Sequence, residues 1–147
     1  MMLFLQFLFA FASTVGFSII FNIPRRHIFT AAFGGGCGWL TYRYLLSTGE
    51  TMVIACFIGA CVVALLSEIF CRIFKEASTV FVIPGILPLV PGAGMYNTML
   101  SLLNQDFEAT AQTGTQTILM AGSIAVAILI ISSFIRAISF ITNTFRG

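Results

Sequence analysis

Hydrophobic residues run along this chain in five long blocks, and short polar clusters separate each block from the next. The first covers about Met2–Phe21 and closes at "NIPRRH", 22–27; the second covers about Ile28–Leu46 and closes at "STGE", 47–50. The third, about Thr51–Phe70, is followed by "CRIFKEAS", 71–78, and the fourth, about Thr79–Leu103, by "NQDFEAT", 104–110. The fifth, about Gln112–Ile135, runs into an amphipathic tail ending in "FRG". A helix needs roughly 20 apolar residues to cross about 30 Å of hydrocarbon, and each block is near that length. The pattern predicts an all-α integral membrane protein of about five transmembrane helices, folded as a single transmembrane domain over 1–147.

Composition agrees. Of 147 residues 59% are hydrophobic and 8% charged, with a mean hydropathy of +1.03. A soluble domain has about a quarter of its residues charged, so these few charges cannot cover a water-facing globule. Five spans with short loops leave no length for a soluble catalytic domain. The net charge of +2 and the lack of any Lys/Arg run argue against a nucleic-acid partner. "AFA" at 10–12 resembles a signal-peptidase site, yet no Lys or Arg precedes it and the apolar run continues to Phe21. The first block therefore reads as a span, not a cleaved leader.

The loop charges predict an orientation. Arg25 and Arg26 follow the first span, Arg72 and Lys75 the third, Arg136 and Arg146 the fifth; Glu50 follows the second, Asp106 and Glu108 the fourth. Basic connections face the cytoplasm, which puts the N-terminus outside and the C-terminus inside. Arg43 dissents, and between Tyr42 and Tyr44 it can snorkel to the headgroups.

Catalytic chemistry has little to stand on. His27, the one histidine, adjoins two arginines and reads as an interfacial loop residue with no acid partner for a triad. Cys37, Cys56, Cys61 and Cys71 form no CxxC pair and read as small membrane residues, so neither a metal site nor a cofactor is expected. "GGGCG" at 34–38 lacks the GK[ST] of a phosphate loop. Gly34 and Gly38, four apart, instead read as a small-xxx-small contact between helices. Gly92 and Gly94 lie within a membrane-length segment and are no dinucleotide fingerprint.

The fourth block, "TVFVIPGILPLVPGAGMYNTML", is the informative one. Pro84, Pro88 and Pro91 lack N–H groups, so in a continuous helix the carbonyls of Val80, Pro84 and Leu87 would go without donors. An unmet polar group in hydrocarbon costs several kcal/mol, so this backbone must face protein or a polar cavity. Broken helices of this kind are where many transporters hold substrate. A first half-helix ending near Pro84–Pro88, with Gly85 beside the first proline, would offer carbonyls to an ammonium. A second beginning near Pro91 would offer the amides of Gly92, Ala93 and Gly94 to a carboxylate. Tyr96, Asn97 and Thr98, one turn on, add side-chain hydrogen bonds. Glu68, near the end of the third block, has two readings: an ion pair with Arg72 four residues on, or a carboxylate that couples transport to an ion.

At "VIPGILPLVPGAGMYNTM", 82–99, the chain resembles the threonine/serine exporter family, in particular its shorter, C-terminal transporter module. The Pro84-Gly85…Pro88-Leu89…Pro91-Gly92 pattern followed by Tyr96 carries the resemblance. "GFSIIFNIPRRHI" at 16–28, the small-residue second span and the Glu-bearing end of the third support it. The resemblance implies a subunit of a secondary exporter in a bacterial inner membrane, proposed in the family to move threonine and serine outward on the proton motive force. It also implies a larger partner subunit, since some members are split into a large chain and a five-span small one. A related split pair is linked to dicarboxylates such as succinate, which keeps that substrate class open. An odd number of spans fits a core assembled from two chains, different or alike, so a homo-oligomer is a further arrangement. A non-transporting, stabilising subunit is the rival from another class.

Overall fold

The computed structural model describes residues 2–144, with the side chains of 3–138, and every described element is a helix. The order is α1 (Met2–Ile20), α2 (Arg25–Ser47), α3 (Met52–Phe74), α4 (Thr79–Ile86), a 3-10 turn (Leu87–Leu89), α5 (Gly92–Leu103) and α6 (Phe107–Thr144). Arg146, counted above in the charge pattern, lies outside the described residues.

The connections are short because the helices end in tight hydrogen-bonded closures. After α1 the amide of Ile23 donates to Ser18 O and that of Asn22 to Ile19 O; after α2 Glu50 donates to Leu45 O and Gly49 to Leu46 O. After α5 Asp106 donates to Ser101 O and Gln105 to Leu102 O. This paired pattern needs a left-handed residue just past the helix, here Asn22 (φ 55°), Gly49 (φ 93°) and Gln105 (φ 59°). Helix starts are capped in turn: Thr51 Oγ1 accepts from the Ile54 amide, and Asp106 Oδ1 from Ala109 at 3.0 Å.

Three helices are long and apolar enough to cross a membrane: α1, α3 and α6 over Phe107–Ile138. The α4–turn–α5 unit, bent by 49°, makes a fourth if the bent pair counts as one span. The remaining helix, α2, has the length at 23 residues, but composition alone does not class it as a span. Its place explains this. α2 packs on α1, α3, α4 and the 3-10 turn, and a helix enclosed by protein need not be apolar toward lipid.

Glycine makes that enclosure. A Cβ on Gly38 would lie 2.2 Å from Val63 Cγ2 and 3.2 Å from Gly59 O; one on Gly35 would lie 2.4 Å from Thr14 Oγ1 and 3.1 Å from Gly85 O; one on Gly36 would meet Phe7 at 2.6 Å. The expected Gly34–Gly38 pair is thus half right: Gly34 is buried but has only Phe70 at 3.9 Å. The tight approach of α2 to α3 is Gly38 against Gly59, and that of α2 to α4 is Gly35 against Gly85. Cys56, Ala60, Val63, Leu89, Met120, Ile124 and Ala127 fill the core between α3, the 3-10 turn and α6.

Two boundaries differ from the hydropathy limits. α2 begins at Arg25, with Pro24 at its N-cap position, so Arg25, Arg26 and His27 are helical and not loop. Proline is suited to a helix start, where its missing donor costs nothing. α6 begins at Phe107, five residues before the apolar block, because Asp106 caps it there.

Candidate functional site

The fourth block is broken, but not quite where proline count alone puts the break. Pro84 sits inside α4, which ends at Ile86; Pro88 is in the 3-10 turn, whose last bond runs from Val90 N–H to Leu87 O at 3.1 Å. The carbonyl of Leu87, expected to be free, is therefore used. Leu89 O receives Cys56 Sγ at 3.8 Å. Pro91 then turns the chain, with φ −76° and ψ 59°, and the Gly92 amide donates to Val90 O at 2.8 Å. This is an inverse γ-turn. It spends the Gly92 amide, correcting the expectation of three open N–H groups. Ala93 and Gly94 remain, the second and third residues of α5, where a helix has no acceptors of its own, and Pro91 supplies no capping side chain.

The break opens onto a cavity of about 360 Å³. The segment 88–94 forms one wall, with Asn97 a turn further along α5. Trp39 and Tyr42 of α2, Met52 of α3, and Thr113, Gln116, Thr117 and Met120 of α6 close the others. Of the residues singled out in the sequence, the cavity gathers Pro88, Pro91, Gly92, Gly94 and Asn97. It does not gather Pro84 or Gly85, which are buried where α4 meets α2 and α3. Nor does it gather Tyr96, 68% exposed and absent from the lining. Gly92 and Gly94 play different parts: a Cβ on Gly92 would meet nothing within 4 Å, whereas one on Gly94 would lie 2.4 Å from Thr117 Oγ1.

The α6 residues are the ones the sequence reading missed. Thr113, Gln116 and Thr117 stand three and four apart, a helical stripe visible in "ATAQTGTQT", which a hydropathy average over the whole span conceals. Thr113 Oγ1 donates to Ala109 O and Thr117 Oγ1 to Thr113 O, both at 2.7 Å, while Thr98 Oγ1 lies 3.2 Å from Thr113 Oγ1. With their protons on backbone carbonyls, the two hydroxyls of α6 keep lone pairs for an incoming donor. Gln116 Nε2 lies 3.1 Å from Met52 Sδ, tying α6 to the start of α3. None of the described lining residues carries a charge. A neighbouring cavity of about 370 Å³ shares Trp39 and Pro88 and contains Arg43, whose Nε donates to Gln6 Oε1 at 2.9 Å.

Glu68 is elsewhere. It is buried, and with Ile69, Arg72, Ile135 and Ile138 it lines a small cavity between α3 and α6. Arg72 Nη2 donates to Ile135 O at 3.2 Å, so the guanidinium reaches across to α6. Among the described residues no group of three or more His, Cys, Asp or Glu side chains could hold a metal ion.

Comparison with known proteins gives these features a setting. Over 96 residues the chain is 29% identical to an uncharacterized protein of Haemophilus influenzae, an alignment covering 65% of this chain and 32% of that one. The chain thus matches about a third of the length of that relative. No solved structure matches. The sequence profile described as "Threonine/Serine exporter, ThrE" matches residues 6–134, which takes in most of α1, all of α2 to α5 and most of α6, and on that match this all-helical membrane chain belongs to the threonine/serine exporter family.

Proposed function

We propose that the chain is the path-lining subunit of a secondary exporter that moves threonine and serine out of a bacterial cell across the inner membrane. One observation carries this reading: the Pro91 break opens onto an uncharged but polar cavity, with two uncapped amides on one wall and two hydroxyl oxygens on another. An α-amino acid presents a carboxylate, which suits helix-terminal N–H groups, and an ammonium, which suits hydroxyl and amide oxygens. Its own hydroxyl finds Asn97 or Gln116. The cavity volume suits a small solute.

The missing charge favours a zwitterion over the dicarboxylate rival. A dianion taken from water needs cations or many donors, and the cation in the next cavity, Arg43, is engaged with Gln6. The proton motive force is the proposed drive, with Glu68 the candidate coupling carboxylate: it is buried in a membrane helix, and such groups mark ion paths. α2 is proposed as the fifth span, giving one transmembrane domain with its N-terminus outside. Pairing of Arg26 with Glu76 sets the first and third connections at the same end, as that arrangement requires. A larger partner chain of the family is proposed to complete the path. α5 has no buried residue and packs on α6 alone, so it leaves a face for such a chain.

Counterflow in vesicles holding this chain and its candidate partner tests the reading. Labelled threonine is expected to exchange and labelled succinate not, with exchange lost in Gly92→Trp. Succinate exchange without threonine exchange overturns the substrate; full exchange by the partner alone overturns the role and leaves a stabilising subunit.

A further inference from the structure

His27 is the least expected residue of the structure. Its side chain is 2% exposed, and neither Nδ1 nor Nε2 has a hydrogen-bond partner. A neutral imidazole carries one donor and one acceptor, and buried polar groups are otherwise nearly always paired. The ring stands edge-on to Phe74, at the end of α3, with centroids 5.1 Å apart, and to Phe81 of α4 at 5.5 Å. Phe81, itself buried, also stacks against Phe70 and Phe74. A cage of aromatic carbon thus surrounds two unmet nitrogens.

One carboxylate faces this cage. Glu76 Oε1, in the α3–α4 connection, lies 3.5 Å from His27 Nε2, and the same oxygen is held by Arg26 Nη2. The other charged and titratable groups at this end of the packed elements are Arg25 on α2, Glu68, Cys71 and Arg72 on α3, and Lys75 in the connection; Cys37, Tyr42, Arg43 and Tyr44 on α2 and Cys56 and Cys61 on α3 lie further along their helices. Arg72 is directed to Ile135 O and shares a cavity with Glu68 toward α6. α1 and α4 contribute no titratable side chain.

We propose that His27 is a proton-binding site, with Glu76 its counter-ion and Arg26 its competitor, and that its occupancy sets how α4 seats on α2. The chemistry is simple. A second proton makes both ring nitrogens donors and gives the ring a charge. Nε2–H then bonds to Glu76, and a charge-assisted contact draws 3.5 Å in to about 2.8 Å. Glu76 leaves Arg26 to do so. Phe74 and Phe81 stay the ring's neighbours in either state, at centroid distances of 5.1 and 5.5 Å. Phe81 lies on the helix that leads through Pro84 to the break, so the cage and the cavity share one mechanical element. An imidazole is the side chain whose ordinary titration falls in the physiological range. The proposal stands on the surroundings of the ring and does not depend on what the cavity transports.

The chain has one histidine and one tryptophan, so both ends of the device can be read without added probes. The full chain, labelled with 13C at the histidine Cε1 and placed in lipid nanodiscs, is titrated from about pH 5 to about pH 9 by NMR. A single resonance is expected to move. In Glu76→Gln the midpoint falls by about one pH unit, because the counter-ion is gone; in Arg26→Gln it rises, because Glu76 is released. Emission from Trp39, which lines the cavity, follows the same midpoint in the wild type and loses its pH response in His27→Gln. A resonance that stays fixed, midpoints unchanged in both surface variants, or a Trp39 signal that ignores pH or still responds in His27→Gln overturns the proposal. Both midpoint variants lie at the surface end of the pair, so their folding is not in question.

Discussion

The centre of the bundle and its α5–α6 hairpin use glycine in opposite ways. In α2 the glycines remove side chains so that three helices can touch backbone to backbone, and Gly35, Gly36 and Gly38 have no room for even a methyl group. In α5, Gly92 has nothing within 4 Å of where its Cβ would be, and no residue of that helix is buried. One region spends its small residues on packing; in the other, Gly92 lies open at the cavity while Gly94 packs on Thr117. The difference teaches that the same residue type, at similar density in the sequence, marks close packing in one helix and open space beside a cavity in another. Only the neighbours tell them apart.

Five substitutions break or sharpen that contrast. The largest effect is expected from Gly38→Val, which drives a branched side chain into Val63 and the Gly59 carbonyl; overpacking of about 1–3 kcal/mol or more should abolish stable folding. Yield and thermal unfolding in detergent check it, and Val63→Ala should restore part of the loss in a Gly38→Ala background. Next is Gly92→Trp. It should leave the unfolding temperature near the wild-type value while solute exchange falls to background, the reverse of the pattern at Gly38. If Gly92→Trp proves as unstable as Gly38→Val, the contrast fails.

Gly94→Ala lies between them. Its methyl meets the Thr117 hydroxyl, so α5 should lift from α6 at a cost of about 1–2 kcal/mol. Thr117→Ala should recover most of this in a double-mutant cycle. A smaller effect belongs to Arg26→Ala: an exposed ion pair contributes less than about 1 kcal/mol, and the change in melting temperature should vanish at high salt. Tyr96→Phe is expected to alter neither stability nor exchange, because Tyr96 is absent from the cavity wall.

How much of this was legible in the chain depends on what each residue reports. Proline reports its missing N–H wherever it sits, so the break in the fourth block could be read directly. The site of the break could not. Pro84 is tolerated inside α4, and the 3-10 turn absorbs Pro88, so the bend waits for Pro91. α2 was legible as a helix, but its enclosed position was not, since enclosure is a property of its three neighbours. His27 was misplaced for a local reason. Pro24 starts α2 before the polar cluster ends, and this carries His27 inward onto Phe81 while Arg26 stays outside. The polar stripe of α6 was present in the spacing of Thr113, Gln116 and Thr117, and a period-aware reading finds it.

The length of α6 has a further consequence. Its 38 residues make a rod of about 57 Å, nearly twice the hydrocarbon thickness. Its first three turns carry Thr110, Gln112, Thr113, Thr115, Gln116 and Thr117, and the more apolar stretch begins at Ile118. Trp39 and Tyr42 meet those turns across the cavity, as aromatic side chains do at a membrane boundary. The cavity therefore lies beside the polar end of α6 and not beside its apolar middle. Under the export proposed above, a solute held there would rest near one end of the bundle, so that one closure on its deeper side would be enough to make the passage one-way.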